Sequence, residues 1–132
     1  MSEINSFEDL DCYKKARAYR KALAAWTKTL PKEEIYRMRD QVIRSARSIT
    51  ANIAEGYGRH HPQENLQFCR QARGSLAETL DHLNCAIDED LIIEETYRNF
   101  RTQWEECTRL LNGYIRYLQS LSTKDKRFKQ EG

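Results

Sequence analysis

Residues 97–121 read YRNFRTQWEECTRLLNGYIRYLQSL, and their spacing decides the fold class. Apolar side chains recur there at steps of three and four residues: Tyr97, Phe100, Trp104, Cys107, Leu111, Tyr114, Leu118 and Leu121. Side chains at this spacing share one face of an α-helix. The stretch therefore predicts an amphipathic helix, over 94–121, whose apolar stripe packs against other elements.

Three earlier segments have the same spacing and predict helices over 7–30, 33–57 and 62–90. Their apolar stripes are Cys12, Ala16, Tyr19, Leu23, Trp26 and Leu30; Ile35, Met38, Val42, Ala46, Ile49 and Ile53; and Leu66, Cys69, Ala72, Leu76, Leu80, Leu83 and Ile87. Ser6, with Asp9 three residues later, predicts an N-terminal cap. Pro31 ends the first helix, and Pro62 suits the first turn of the third.

The length and composition predict one all-α domain. The chain has 132 residues, of which 39% are hydrophobic and 32% charged, and it contains only two prolines. Four helices of similar length with short connections favour an antiparallel, up-down-up-down four-helix bundle over residues 1–121. Residues 122–132 carry no apolar stripe, so we expect a basic, flexible tail.

The expected location is the cytoplasm. No apolar window reaches the roughly 18 residues that a membrane span needs, and the first residues, MSEINSFEDLD, do not resemble a signal peptide. The four cysteines form no CxxC pair, so we expect them to be small buried residues rather than disulfides or metal ligands. We predict no metal and no cofactor, since His60 and His61 are adjacent in a turn and His82 stands alone.

The stretch ANIAEGYGR, residues 51–59, places Asn52 and Glu55 beside an apolar stripe. One interpretation is a structural polar network in which Glu55 pairs with Arg73, because an unpaired buried carboxylate would be costly. The alternative is an enzyme that uses Glu55 as an acid or base, although a single carboxylate is weak evidence for catalysis. We predict no catalytic residues, and we expect Gly56 and Gly74 to allow close helix packing.

The 22 basic and 20 acidic residues are unevenly distributed. Residues 35–75 hold seven Lys or Arg against three Asp or Glu, whereas residues 76–108 hold two against nine. Arginine also suits bidentate phosphate contacts. The predicted nucleic-acid-binding residues form stripes on the second and fourth helices, the turn after the second helix and the tail: Arg37, Arg44, Arg47, Arg59, Arg98, Arg101, Arg109, Arg116, Lys124, Lys126 and Arg127. The alternative is a solvated surface of local ion pairs.

Four blocks of sequence resemble one protein family. They are FEDLDCYKKA at 7–16, SITANIAEGYGR at 48–59, ARGSLAET at 72–79 and LLNGYIRYL at 110–118. The chain is similar over residues 7–121 to the four-helix-bundle proteins encoded in intervening sequences of bacterial 23S ribosomal RNA genes. The same fold family includes the accessory variability determinant of diversity-generating retroelements.

The resemblance implies a homopentameric ring. For the retroelement branch it also implies a basic barrel that binds RNA or cDNA and a reverse transcriptase. We therefore predict a non-enzymatic, nucleic-acid-binding assembly protein with no membrane partner. The alternative is an intervening-sequence-encoded bundle that acts as a protein–protein assembly module without binding nucleic acid.

Overall fold

The structure is a computed structural model that describes the backbone of residues 3–131 and the side chains of residues 3–123. Its α-helices are α1 (Asp11–Thr27), α2 (Asp40–Gly58), α3 (Pro62–Asp88) and α4 (Glu94–Glu131), and no strand occurs within residues 3–131. Consecutive helices pack together, and α4 also packs against α1. The predicted all-α class is confirmed, and the arrangement is that of an up-down-up-down four-helix bundle.

The core follows the predicted apolar stripes. The side chains that are almost fully buried include one aromatic residue and several branched aliphatic residues: Tyr19, Leu23, Val42, Ile49, Ile53, Leu76, Leu83 and Leu111. Two polar side chains of this core bond to a neighbouring helix. The Tyr19 hydroxyl lies 2.9 Å from Thr79 Oγ1, and the indole N–H of Trp104 donates to the carbonyl of Leu76 at 2.8 Å. The two hydrogen bonds tie α1 to α3 and α4 to α3.

The first helix is shorter than the predicted range of 7–30. The cap at Ser6 and Asp9 is present, but it caps a 3₁₀ turn, Phe7–Asp9, rather than α1. Leu10 then takes an extended conformation and is buried, so α1 begins at Asp11. At the other end, the hydroxyl of Thr29 donates to the carbonyl of Trp26 and helps to end the helix before Pro31.

The second helix does not run continuously over 33–57 as predicted. A 3₁₀ turn, Lys32–Glu34, leads into a π-helical segment, Ile35–Arg39, and regular α-helix starts at Asp40. A π turn contains more residues than an α turn, so the side chains around it point in other directions than in a continuous α-helix. Met38 is buried as predicted, but Ile35 is 38% exposed and does not belong to the apolar stripe. Tyr36, next to it, is 91% exposed.

The boundaries of the last two helices also differ from the prediction. α3 ends at Asp88 rather than at 90, because Asp90 has a φ of 58° and the N–H of Leu91 donates to the carbonyl of Ala86. This is a Schellman motif with aspartate in the position that glycine usually takes. α4 continues beyond 121 to Glu131, since no proline or glycine interrupts the chain before that residue.

Gly56 and Gly74 have different surroundings. A Cβ atom at Gly56 would lie 2.5 Å from Asn65 Oδ1 and 2.9 Å from the Cβ atom of Phe68, so α2 and α3 approach closely there. The close packing predicted at Gly56 is confirmed. A Cβ atom at Gly74 would meet nothing within 4 Å among the described atoms. The prediction for Gly74 is therefore wrong, because its side of α3 faces away from the core.

Three of the four thiols lie in the core. Cys12, Cys69 and Cys107 are buried, whereas Cys85 is exposed, so burial is confirmed for all except Cys85. All four are free thiols. Burial raises the pKa of Cys12 and Cys107 to about 12, because the thiolate loses its hydration there.

We expect opposite effects of alanine at the two glycines. Gly56→Ala should lower the free energy of unfolding by about 1–3 kcal/mol, because the new methyl group overlaps fixed atoms of α3. Gly74→Ala should raise it by up to about 1 kcal/mol, because alanine is the better helix former. Urea denaturation of both variants tests the pair. Equal effects of the two substitutions would contradict this account of the α2–α3 contact.

The buried thiols predict a loss of stability in alkali. The folded-state pKa of Cys12, about 12, lies above the reference value of 9.0. The contribution of the buried Cys12 thiol to the free energy of unfolding is therefore complete below pH 9. It is lost as the pH rises toward 12, by up to about 1.4 kcal/mol per pH unit. Urea midpoints between pH 7 and 10.5 should fall less steeply for Cys12→Ala than for Cys85→Ala, the control at the exposed thiol. If the urea midpoint fell equally with pH in the two variants, the raised pKa of Cys12 would be contradicted.

Candidate nucleic-acid interface

The two predicted arginine stripes lie on diagonally opposed helices. Arg44 and Arg47 belong to α2, whereas the longer stripe belongs to α4: Arg98, Arg101, Arg109 and Arg116. α1 and α3 each pack against both of these helices and stand between them. A single bundle therefore carries two separate stripes rather than one continuous basic surface.

Half of the eight predicted arginines in the described residues pair with a carboxylate one helical turn away. The pairs are Arg44–Asp40 at 3.4 Å, Arg59–Glu55 at 3.2 Å, Arg98–Glu94 at 2.6 Å and Arg101–Glu105 at 3.9 Å. Arg59 also lies over the ring of Phe68, 5.1 Å from its centroid. These exposed pairs contribute little to stability, but each places a negative charge beside the guanidinium group. For these four residues, the interpretation as local ion pairs accounts for the geometry.

The other four predicted arginines have no carboxylate within 4 Å among residues 3–123: Arg37, Arg47, Arg109 and Arg116. All four are exposed. The predicted contacts at Lys124, Lys126 and Arg127 lie outside the residues whose side chains the structure describes.

α1 contributes cations that the arginine pattern missed. Asp11–Thr27 contains five Lys or Arg and a single acidic residue. Lys15 pairs with Glu106 of α4, but Arg17 and Lys21, one turn apart, are exposed. Lys21 borders a groove between α1 and α2. The balance of charge within this segment is visible in the sequence, whereas the spacing of arginines alone does not show it.

Arg17, Lys21, Arg44 and Arg47 form one surface, here called the cationic face. Lys21 and Arg47 border the same groove between α1 and α2, and the other two follow one turn away on the same sides of their helices. Residues 11–60 hold twelve Lys or Arg against five Asp or Glu, whereas residues 61–123 hold six against ten. The excess is therefore seven positive charges on the α1–α2 hairpin, residues 11–60, and four negative charges on residues 61–123.

The α1–α2 groove has a volume of about 560 Å³. Small and apolar side chains line most of it: Ala24, Ile43, Ala46, Ala51 and Ala54. Phe7 and Tyr13 also line the groove, with their ring centroids 4.9 Å apart and edge to face. The charged lining residues are Arg20, Lys21 and Arg47, and no carboxylate is among them. Arg20 donates from Nη1 to Thr50 Oγ1 at 2.8 Å.

The polar network predicted around Glu55 is wrong. Glu55 is exposed and pairs with Arg59, while Arg73 donates to Asn112 Oδ1 of α4 at 3.1 Å. Asn52 donates to the carbonyl of Ser48 at 2.8 Å and to Ser48 Oγ at 3.0 Å, so this one of the three predicted residues does belong to a polar cluster. Glu55 needs no partner on α3 because its position on α2 turns its carboxylate toward water. The polar link between α2 and α3 is instead made by Ser48 and Ser75, whose hydroxyl oxygens lie 2.7 Å apart.

The α3–α4 connection forms an acidic end of the bundle. Five carboxylates lie within eight residues there: Asp88, Glu89, Asp90, Glu94 and Glu95. Ile93, in their midst, is 68% exposed. Phosphate groups would be repelled from this end, and a basic partner with an apolar side chain would be attracted to it.

The described residues contain no group of three or more His, Cys, Asp or Glu side chains arranged to hold a metal ion. His82 lies 3.4 Å from Glu78, one turn before it on α3. His60, with a φ of 54°, packs edge to face against Tyr57. His60 and His61 are adjacent in the turn before α3, whereas His82 lies within that helix.

A comparison with protein families identifies the family of this chain. The family model described as 23S rRNA-intervening sequence protein matches residues 8–113. The chain belongs to this family. The resemblance drawn from the four sequence blocks is thereby confirmed, and no curated protein matches the sequence significantly.

A crystal structure of a protein with unknown function, from the S23 ribosomal protein family of Bacteroides thetaiotaomicron, is similar to this intervening-sequence protein. The two share 22% sequence identity with a TM-score of 0.71, over 79% of this chain and 97% of the other. At this identity the likeness supports the helical fold alone. Among the described residues, no helix is long and apolar enough to cross a membrane.

A substitution at Glu55 tests whether this residue is only part of an exposed ion pair or supports the fold. Glu55→Gln should change the free energy of unfolding by no more than about 0.5 kcal/mol, because it removes only an exposed ion pair within α2. Asn65→Ala is the comparison, since Asn65 is buried and donates to the hydroxyl of Tyr114 at 3.0 Å. If Glu55→Gln lowered the free energy of unfolding by several kcal/mol in urea denaturation, the network hypothesis would be supported again.

Proposed function

We propose that this intervening-sequence protein binds RNA or DNA without catalysing a reaction, and that it does so through the cationic face as a homopentamer in the cytoplasm. The observation that carries the proposal is the separation of charge, with an excess of seven positive charges on the α1–α2 hairpin. Arginine and lysine that neutralise phosphates release counterions, which drives binding regardless of base sequence. The assignment rests on this surface more than on the α4 stripe. One of the four basic residues of the cationic face, Arg44, has a carboxylate partner, whereas two of the four arginines of the stripe do.

The contact should be tolerant of sequence. Specific readout of a duplex needs an element that enters a groove and presents side chains to base edges. The cationic face instead lies along two neighbouring antiparallel helices, so its arginine and lysine side chains meet the backbone of the nucleic acid. Affinity should therefore depend strongly on salt and weakly on base composition.

Self-association is proposed from the family resemblance, which implies a pentameric ring. Exposed aromatic residues support a contact between copies, since Tyr36 is 91% and Tyr117 is 56% exposed. Isolated apolar residues on a surface are common, but aromatic residues are enriched at protein interfaces. Five copies would place five cationic faces on one particle, and phosphate contacts would then act together.

The retroelement role is the more specific form of the proposal. In that role the protein would hold template RNA or cDNA beside a reverse transcriptase, and its gene would lie next to one. A gene within a ribosomal RNA operon would favour the other branch. The position of the gene therefore decides between the two branches without a biochemical assay.

The alternative function is an assembly module that binds only protein. The observation that favours it is the acidic α3–α4 connection, where Ile93 projects among five carboxylates. A basic, partly apolar segment of a partner protein would fit this end. The enzyme hypothesis has less support, because Glu55 is exposed and paired with Arg59.

The cationic face predicts the effect of removing its charges. The double variant Lys21→Ala, Arg47→Ala should bind structured RNA more weakly and reduce the magnitude of the slope of log K against log salt by about 1.5, since each lost phosphate contact removes roughly 0.7–0.9. The double variant Arg98→Ala, Arg101→Ala is the matched control, because it also removes two positive charges and both arginines pair with carboxylates of their own helix. Filter binding between 50 and 200 mM salt measures both variants. Absence of RNA binding by the wild-type protein at low salt would favour the assembly module.

Light scattering tests the oligomer. The chain has a mass of 15.6 kDa, and the proposal expects a particle of five chains at micromolar concentration. A monomeric mass would remove the pentamer from the proposal.

A further inference from the structure

We infer that the α1–α2 groove binds an unpaired base of single-stranded RNA or DNA, while the cations beside it hold the adjacent phosphates. The inference rests on the proposed function and narrows it from nucleic acid in general to single strands. The cationic face by itself accounts for phosphate contacts with either form. The groove adds a recessed apolar surface, which a phosphate backbone cannot use.

The chemistry of the groove matches the two parts of a nucleotide. Ala24, Ala51 and Ala54 leave an apolar trough without long side chains to fill it. The groove follows α1 from residue 13 to residue 24, which is about 16 Å at 1.5 Å per residue. A volume of about 560 Å³ lies within the range of pockets that hold small organic ligands. The face of a base is flat and apolar enough to lie against such a surface.

The charges around the groove favour an anion. Arg20, Lys21 and Arg47 are the charged residues in its lining, and no carboxylate accompanies them. Arg20 is half-buried and is oriented by its hydrogen bond to Thr50, so its guanidinium group lies inside the groove rather than above it. A phosphate that follows an inserted base could reach Lys21 or Arg47 at the rim, where both side chains are exposed.

The aromatic wall provides a contact that every base can make. Phe7 and Tyr13 are half-buried, and the 3₁₀ turn before α1 brings Phe7 beside Tyr13. Aromatic side chains next to a basic groove are the usual means by which proteins hold single strands without reading their sequence. This agrees with a contact that tolerates any base.

A duplex cannot use these features. Its bases are stacked and paired, so they reach a recessed surface only when they leave the helix. A duplex would meet the exposed cations of the face and leave Arg20, Phe7 and the alanines without contact. The structure therefore predicts a preference for single strands that comes from the groove and not from the number of cations.

The test fills the groove without changing its charge. Ala51 is exposed and lines the groove, so Ala51→Leu should leave the fold intact and occupy the space of the base. Ala77→Leu, at an exposed position on α3 outside the groove, is the matched control. The probes are a fluorescein-labelled 12-nucleotide oligouridylate and an RNA duplex of the same length, measured by fluorescence anisotropy at two salt concentrations.

The wild-type protein and Ala77→Leu should bind the single strand at least about tenfold more tightly than the duplex. Ala51→Leu should lose this preference and keep the affinity for the duplex. An unchanged preference in Ala51→Leu would overturn the inference while leaving the proposed function in place. If neither probe binds the wild-type protein, both fail. A change in molecular mass of Ala51→Leu by light scattering would instead identify the groove as a contact between copies, which would also overturn the inference.

Discussion

The close approach of α2 and α3 at Gly56 is the constraint on which the rest of the bundle depends. The missing side chain makes room for Asn65, whose amide donates to the hydroxyl of Tyr114 on α4 at 3.0 Å. Three helices are thereby joined at one level of the core. Burial raises the pKa of Tyr114 to about 12, which reflects the same exclusion of water. A side chain at position 56 would overlap Asn65 Oδ1 and the Cβ atom of Phe68, so atoms of this connection would have to shift.

The candidate site lies on the other side of α2. Among the pairs of helices, α2 and α3 share the most extensive contact, and α2 meets α1 less closely. Ala51 and Ala54 face the space that remains, with Arg20 and Arg47 beside it. α2 therefore packs tightly against α3 on one side and borders the cationic groove on its other side.

Local pairing decides which basic residues remain available to a partner. A carboxylate one turn away holds Arg98 beside Glu94 and Arg59 beside Glu55. Such pairs depend only on the helical repeat, so they could have been anticipated from the sequence. The contribution of α1 could have been found in the same way, from five basic residues against one acidic residue in Asp11–Thr27. The pairing of Arg73 with Asn112, by contrast, joins α3 to α4 and depends on how the helices are rotated in the fold.

The sequence by itself determined the four helices, their antiparallel order and most of the buried residues, because apolar spacing and the two prolines act over one or two helical turns. It did not predict the break at Leu10 or the π-helical segment Ile35–Arg39, where burial in the core outweighs the local helical repeat. Only the tertiary structure decided that Gly56 is a contact and Gly74 is not, and that α1 and α2 enclose a groove. Those features depend on distances between helices, which no spacing along a single helix contains.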